Sequence, residues 1–320
     1  MGKKRIVWLD MLKGFLIFSV VLGHSMQYTE LDETVLGEKI WYFIYSFHMM
    51  AFFAASGFLF YPKWILAEDK KKFLFRREIA LIVPTAVFSA INLLLRFLTH
   101  QDQSLLASVS VTLKSFWFLG VLMLLEGFYP LLLIICKNKR LWIEILLGAG
   151  WLVCGFWNNE IGKFLGYFFI FVFAGRIKEM IDTPRGGGTK IAIEIGFLAI
   201  FVVALLVCYR TQGGTDGIAN SYVKLLLGLP GSCWLMLLFS RIFANTKENP
   251  CSRLGQYTMQ IYLVHQILFA FSPYLFGLLP SVVPIIWMCI LCVLGNLIPV
   301  LLEKGMDRTP GLRLVFHPMR

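Results

Sequence analysis

Apolar runs long enough to cross a bilayer recur along the whole chain, and a soluble fold has nowhere to hide them. A spanning helix needs about 20 mostly apolar residues, because the hydrocarbon core is about 30 Å thick and each helical residue rises about 1.5 Å. Ten stretches meet or approach that length: residues 6–26, 40–60, 78–98, 114–135, 141–157, 161–178, 190–209, 221–243, 255–278 and 281–302. The fifth and sixth are short and are separated only by Asn158, Asn159 and Glu160. Composition supports the same reading. Hydrophobic residues make up 58% and charged residues 15%, with mean hydropathy +0.72, against about 45–50% and about 25% in soluble domains. The polar breaks leave no room for a second domain, so residues 1–320 read as one polytopic all-α membrane domain, a bundle of about ten transmembrane helices.

Lysine and arginine collect on the cytoplasmic side of membrane helices, which tests the map independently. With the N-terminus inside, 23 of the 30 fall in inside segments. Six lie at outside ends or loops (Lys39, Arg96, Lys114, Lys163, Arg210 and Lys224), and Lys13 sits within the first helix. Residues 63–77 and the tail after Glu303 are therefore expected in the cytoplasm, with both termini inside, and residues 27–39 and 211–220 outside. The same distribution accounts for the net charge of +11. Basic residues spread over six segments are not the single stripe with interleaved aromatics that binds nucleic acid.

The first run carries Asp10 and Lys13 and ends without a small-x-small site, so it reads as a retained helix rather than a cleaved signal. Seven cysteines, mostly at membrane depth, do not build a disulfide framework. Cys289-x-x-Cys292 has no nearby His or Cys partner and reads as packing, and no metal site is expected. The glycine-rich breaks at 185–189 and 212–217 read as flexible connections.

An ionisable side chain inside a span costs at least about 2.5–3.5 kcal/mol on insertion scales, so each is a functional candidate by default. They are few: Asp10, Lys13 and His24 in the first helix, His48 in the second, Glu126 in the fourth and His265 in the ninth. Lys13 and His24 are 11 residues apart, which is about 20° around the axis and about 16 Å along it, so they share a face. Asp10, three residues before Lys13, can pair with it. His48, on a helix that descends from outside, is expected at a depth similar to His24. His48 and His265 also admit a structural reading, as interhelical hydrogen bonds that hold a bundle together. His24 carries more functional weight, since an imidazole titrates near neutral pH and can take a proton from an attacking hydroxyl.

Four motifs follow one another along the chain. Residues 8–25, WLDMLKGFLIFSVVLGHS, set a basic residue ahead of a histidine with ten residues between; residues 45–59, YSFHMMAFFAASGFL, carry His48 and Ser56-Gly57. Residues 116–119, FWFL, and residues 254–265, LGQYTMQIYLVH, carry Trp117 and His265. In this order, over nearly the whole chain, they resemble the acyltransferase 3 family of membrane acyltransferases, in the short form related to sugar O-acetylases. Two departures stand out. Lys13 occupies a position where many members have Arg, keeping the charge without the planar five-donor fork. Of the family's Arg-x-x-Arg pair before the third helix, Arg77 fits the first position while Ala80 occupies the second; Arg76 is adjacent but points about 100° away.

The resemblance implies transfer of an acyl group, usually acetyl, from cytoplasmic acyl-CoA to a hydroxyl of a carbohydrate or cell-envelope glycan at the cell membrane. Acetyl-CoA enters as donor substrate, with no bound cofactor. His24 is then the catalytic base, with an acyl-histidine intermediate as the other route, and Lys13 holds the donor or balances its charge. Arg77, with Arg76 and the lysines at 70–72, suits the CoA phosphates, because charge-assisted bonds to phosphate are strong; ordinary positive-inside bias is the bland alternative for the lysines. Asp10, His48, Trp117, Glu126 and His265 are expected as supporting residues. A competing reading is a transporter or flippase of a small molecule or lipid-linked sugar, which would use the same polar stripe without breaking a thioester.

Overall fold

The computed structural model describes residues 5–99, 104–184, 186–211, 220–278 and 282–318, and among these the chain is helical with no strand. The helices are α1 (Val7–Tyr28), α2 (Val35–Ile65), α3 (Lys70–Leu98), α4 (Leu105–Ser115), α5 (Trp117–Ile135), α6 (Arg140–Trp157) and α7 (Asn159–Asp182). They continue with α8 (Gly187–Thr211), α9 (Ser221–Ile242), α10 (Pro250–Leu254), α11 (Thr258–Ala270), α12 (Ser272–Leu278), α13 (Pro284–Met306) and α14 (Pro310–Phe316).

Among the described residues, eight helices are long and apolar enough to cross a membrane: α1, α2, α3, α5, α6, α8, α9 and α13. The two other expected stretches take a different form. The sixth coincides with α7, a 24-residue helix that carries Lys163, Arg176 and Lys178 within its length. The ninth is divided among a 3-10 turn at Gly255–Tyr257, α11 and α12. The basic segment expected at 63–77 is mostly helix. The Asp69 carboxylate accepts from the Lys72 backbone N–H at 2.8 Å and starts α3 at Lys70, as a capping side chain does. Ser104 caps the unforeseen α4 in the same way, accepting from Ala107 N–H at 3.2 Å. Most of the expected outer segment 211–220, the whole break at 212–217 and residue 185 of the other break lie outside the described residues.

By its contacts the chain divides into two compact units, residues 1–65 with 131–256 and residues 66–130 with 257–320. In the first, α2 is central. The most apolar stretch of α2 is 72% buried against 17% in α8, so α2 lies in the core and α8 leaves most of its apolar surface uncovered. Phe47 of α2 stacks with Phe15 of α1 (centroids 6.2 Å), and Phe53 of α2 meets Tyr167 of α7 (4.8 Å). Basic residues that read as a topology signal also lock helices together. Arg140 and Arg176 pair with Glu179 (2.5 Å) and Glu144 (3.1 Å) between α6 and α7. Arg241 of α9 holds both oxygens of Glu194 of α8 at 2.7 Å.

In the second unit, Asn92 of α3 donates to Thr112 of α4 at 3.3 Å, and Phe88 of α3 stacks on Phe316 of α14 at 5.3 Å. The Tyr262 hydroxyl of α11 donates to the Ser115 carbonyl (3.1 Å) and accepts from Phe118 N–H (3.2 Å), clamping the corner between α4 and α5.

Candidate active site

The first unit brings together His24 and His48. His24, half-buried on α1, forms a 3.0 Å hydrogen bond between its Nδ1 and Gln27 Oε1, one helical turn on. The Tyr45 hydroxyl of α2 donates to the same oxygen at 3.1 Å. The Tyr45 ring is shared by both imidazoles, with centroids 6.3 Å from His24 and 4.7 Å from His48. Trp41 stacks on Tyr45 at 3.8 Å. Gly23 makes the approach feasible, because a Cβ there would stand 2.9 Å from the Tyr45 ring.

The two histidines are held differently. His48 is 3% exposed, and its Nδ1–H donates to the Ile44 carbonyl at 2.8 Å. A carbonyl only accepts, so that contact fixes the tautomer. In His24 a side-chain amide oxygen plays the orienting part. With Oε1 accepting from Nδ1–H, the basic lone pair of His24 is on Nε2.

At the other end of α1, Lys13 Nζ pairs with Asp10 at 2.6 Å, as the spacing implied. Both line a cleft of about 440 Å³ together with Arg5, Lys63 of α2 and Gln256. Three cations face one carboxylate there. Gln256 is positioned by Gly255, where a Cβ would fall 1.7 Å from the Asp10 carbonyl oxygen, so no other residue allows the chain to pass this close to α1. The Gln256 Nε2 amide is buried without a hydrogen-bond partner among the described residues, an unusual state for a buried donor. The cleft therefore offers two net positive charges and an unused donor to an anion. Since α1 is one continuous helix, Lys13 in the cleft and His24 are about 16 Å apart along its axis.

The expected residues of the second unit form other arrangements. Arg77 is bound by Glu126: Nε donates to one carboxylate oxygen at 2.9 Å and Nη2 to the other, and Glu126 is wholly buried. Both residues stand out in the sequence, but they meet as a bidentate pair rather than as separate site groups. Arg76, beside it, is exposed. Trp117, 37% exposed, opens α5 and lies edge-on to Phe118 at 6.3 Å. His265 is fully buried, donates from Nδ1 to the Ile261 carbonyl at 2.6 Å, and packs its ring on Phe269 at 5.6 Å. That geometry has the features of a core histidine.

Sequence reasoning passed over Gln27, Tyr45, Gln256 and Lys224. The Gln27 position was reachable, since residues three apart on a helix are neighbours. Lys224, expected at an outer end, places Nζ 3.4 Å from the Tyr167 hydroxyl and 6.0 Å from the centre of its ring. Nothing in the local sequence distinguishes it from a topology-setting lysine.

A model of acyltransferase family 3, described as an acyltransferase domain, matches residues 6–304, a range that spans both units. No curated protein and no solved structure matches the chain.

Proposed function

The chain belongs to the acyltransferase 3 family, and we propose that it is a membrane O-acyltransferase moving acetyl or another acyl group from cytoplasmic acyl-CoA to a hydroxyl of a carbohydrate or cell-envelope glycan. The observation that carries this reading is the oriented imidazole of His24. Gln27 accepts from Nδ1–H, which puts the basic lone pair on Nε2, and that nitrogen takes the proton of the acceptor hydroxyl as its oxygen attacks the thioester carbonyl. Collapse of the tetrahedral adduct breaks the C–S bond, and the imidazolium returns the proton to the departing CoA thiolate. Tyr45 fixes Gln27 and thereby the imidazole, so its part is positioning.

The donor's charged end fits the cleft at the base of α1, where Lys13, Arg5 and Lys63 meet phosphate oxygens and Gln256 donates a further bond. The about 16 Å to His24 is then the span of the flexible acyl-bearing arm. With Arg77 engaged by Glu126, this cleft is the stronger donor site. The reading requires the N-terminus, residues 63–77 and the C-terminal tail to face the cytoplasm of a cell membrane, as the distribution of basic residues supports.

The deciding experiment measures CoA release and acetyl transfer by the purified protein in detergent or liposomes supplied with acetyl-CoA and glycan acceptors. Acceptor-stimulated CoA release is the expected result. Movement of a sugar or lipid-linked sugar across liposomes without any loss of thioester would replace the enzyme with a transporter.

A further inference from the structure

Lys224, near the start of α9, belongs neither to the donor cleft nor to the ion pairs that lock helices together. A lysine at the end of a spanning helix ordinarily extends its ammonium to water. Lys224 is half-buried instead and turns inward, with Nζ 3.4 Å from the hydroxyl of Tyr167 of α7, a side chain only 4% exposed. It stands close enough to His48 for its charge to act on that imidazole, and His24 lies within the same reach of His48. We propose that Lys224 holds an anionic group, a carboxylate or a phosphate, carried by the glycan acceptor whose hydroxyl meets His24. This assignment rests on the acyl transfer proposed above and narrows its acceptor to an acidic sugar.

The groups around Lys224 leave its charge largely uncompensated. An ammonium drawn out of water needs a close anion or several acceptors. Among the described residues no carboxylate lies within 4.0 Å of Nζ, and 3.4 Å to the Tyr167 hydroxyl exceeds the usual N–H···O length. Glu160, at the start of α7, acts on Lys224 from farther away; its carboxylate is 78% exposed and is bound to Lys163 at 2.7 Å, so solvent and salt screen it. The Tyr167 ring, 6.0 Å from Nζ, stands at the limit of a cation–π contact. His48 supplies no anion either. Its Nδ1–H donates to the Ile44 carbonyl, so Nε2 carries a neutral lone pair, which has no hydrogen-bond partner among the described residues.

These features favour a charged acceptor over a neutral one. Lys224 presents a compact charge with three N–H donors, and the His48 lone pair suits a hydroxyl of the same ligand. A neutral sugar would leave the ammonium without a counter-ion, whereas a uronic acid or a sugar phosphate neutralises it through charge-assisted bonds.

The test titrates the purified full chain, in an uncharged detergent, with glucose, glucuronate and glucose 6-phosphate, and supplies each as acceptor together with acetyl-CoA. We expect at least one charged probe to bind roughly tenfold or more tighter than glucose, an advantage lost in Lys224→Met and largely kept in Lys224→Arg. The tighter charged probe then names the anion as carboxylate or phosphate. Lys224→Gln replaces Lys224→Met should that variant fail to fold. Equal affinity for all three probes, no binding of any of them, or an advantage that survives Lys224→Met overturns the site. A fall in kcat by one factor on every acceptor, with affinities unchanged, also overturns it, in favour of a role in the transition state. Binding and turnover separate this assignment from the transfer it rests on. A preference that depends on Lys224 without CoA release keeps the anion site and removes the proposed transfer; CoA release with no such preference does the reverse.

Discussion

The imidazole cluster of the first unit and the Arg77–Glu126 pair of the second both set ionisable side chains in spanning helices, and they differ in how their polar atoms are joined. Arg77 and Glu126 complete each other: a fork of two N–H groups meets both carboxylate oxygens, and the buried charge of Glu126 is matched where it lies. In the other cluster the polar atoms are arranged in series. Tyr45 donates to Gln27 and Gln27 accepts from His24, which puts the basic lone pair of the imidazole on its far nitrogen. The first pattern joins two helices, and the second orients an imidazole, which under the proposed function is the base.

Substitutions can break that distinction. The largest effect is expected from His24→Ala, which should lower acyl transfer by about 10² to 10⁴, the usual worth of general-base catalysis, with folding intact. Turnover of stability-matched variants is the measurement, and near-normal turnover would end the assignment. His48→Ala, whose imidazole is tied to its own helix, should cost far less activity. If instead His48→Ala were dead and His24→Ala active, the roles within the cluster would be exchanged.

Next comes Glu126→Ala. It should cost stability rather than turnover, by about 3 kcal/mol, the low end for a broken buried pair, because Arg77 is 32% exposed. Thermal melting compares it with wild type, and Arg77→Ala should melt early as well. A normal melting curve in either variant, combined with a raised KM for the donor, would transfer Arg77 from the structural class to the donor site.

A smaller change is expected from Gln27→Ala. Loss of one orienting hydrogen bond of about 1 kcal/mol should reduce kcat about fivefold, with KM for the donor unchanged. A drop in KM-dependent binding alone would show that Gln27 touches substrate instead of orienting His24. The smallest effect belongs to Lys63→Gln in the cleft, which should raise KM for the donor a few fold and weaken its salt dependence, since screening acts on exposed charges. An identical salt response in wild type and variant would reduce the cleft lysine to a topology signal.

Much of this organisation is legible from local rules. The Asp10–Lys13 pair follows from their spacing on a helix, and the placement of His24 on the same face as Lys13 needs only the helical period. Similar depths for His24 and His48 were expected from the span map, and both rings now touch Tyr45. By contrast, Arg77 and Glu126 were each conspicuous in the sequence, yet 49 positions separate them and nothing local predicts that they meet. The unused amide of Gln256 was equally invisible, because only a glycine contact with the Asp10 backbone brings it beside Lys13.

Sequence alone determined the helical membrane class, the approximate extent of most spans and the family. The bilayer acts as a solvent on each segment separately, so length and hydropathy suffice. Tertiary structure decided which polar groups meet and how each is oriented, because that depends on register and close approach between helices, and a shift of one residue turns a side chain by about 100°. The same sequence features left the partners of His24 and Arg77 open; the contacts made by Gln27, Tyr45 and Glu126 supply them.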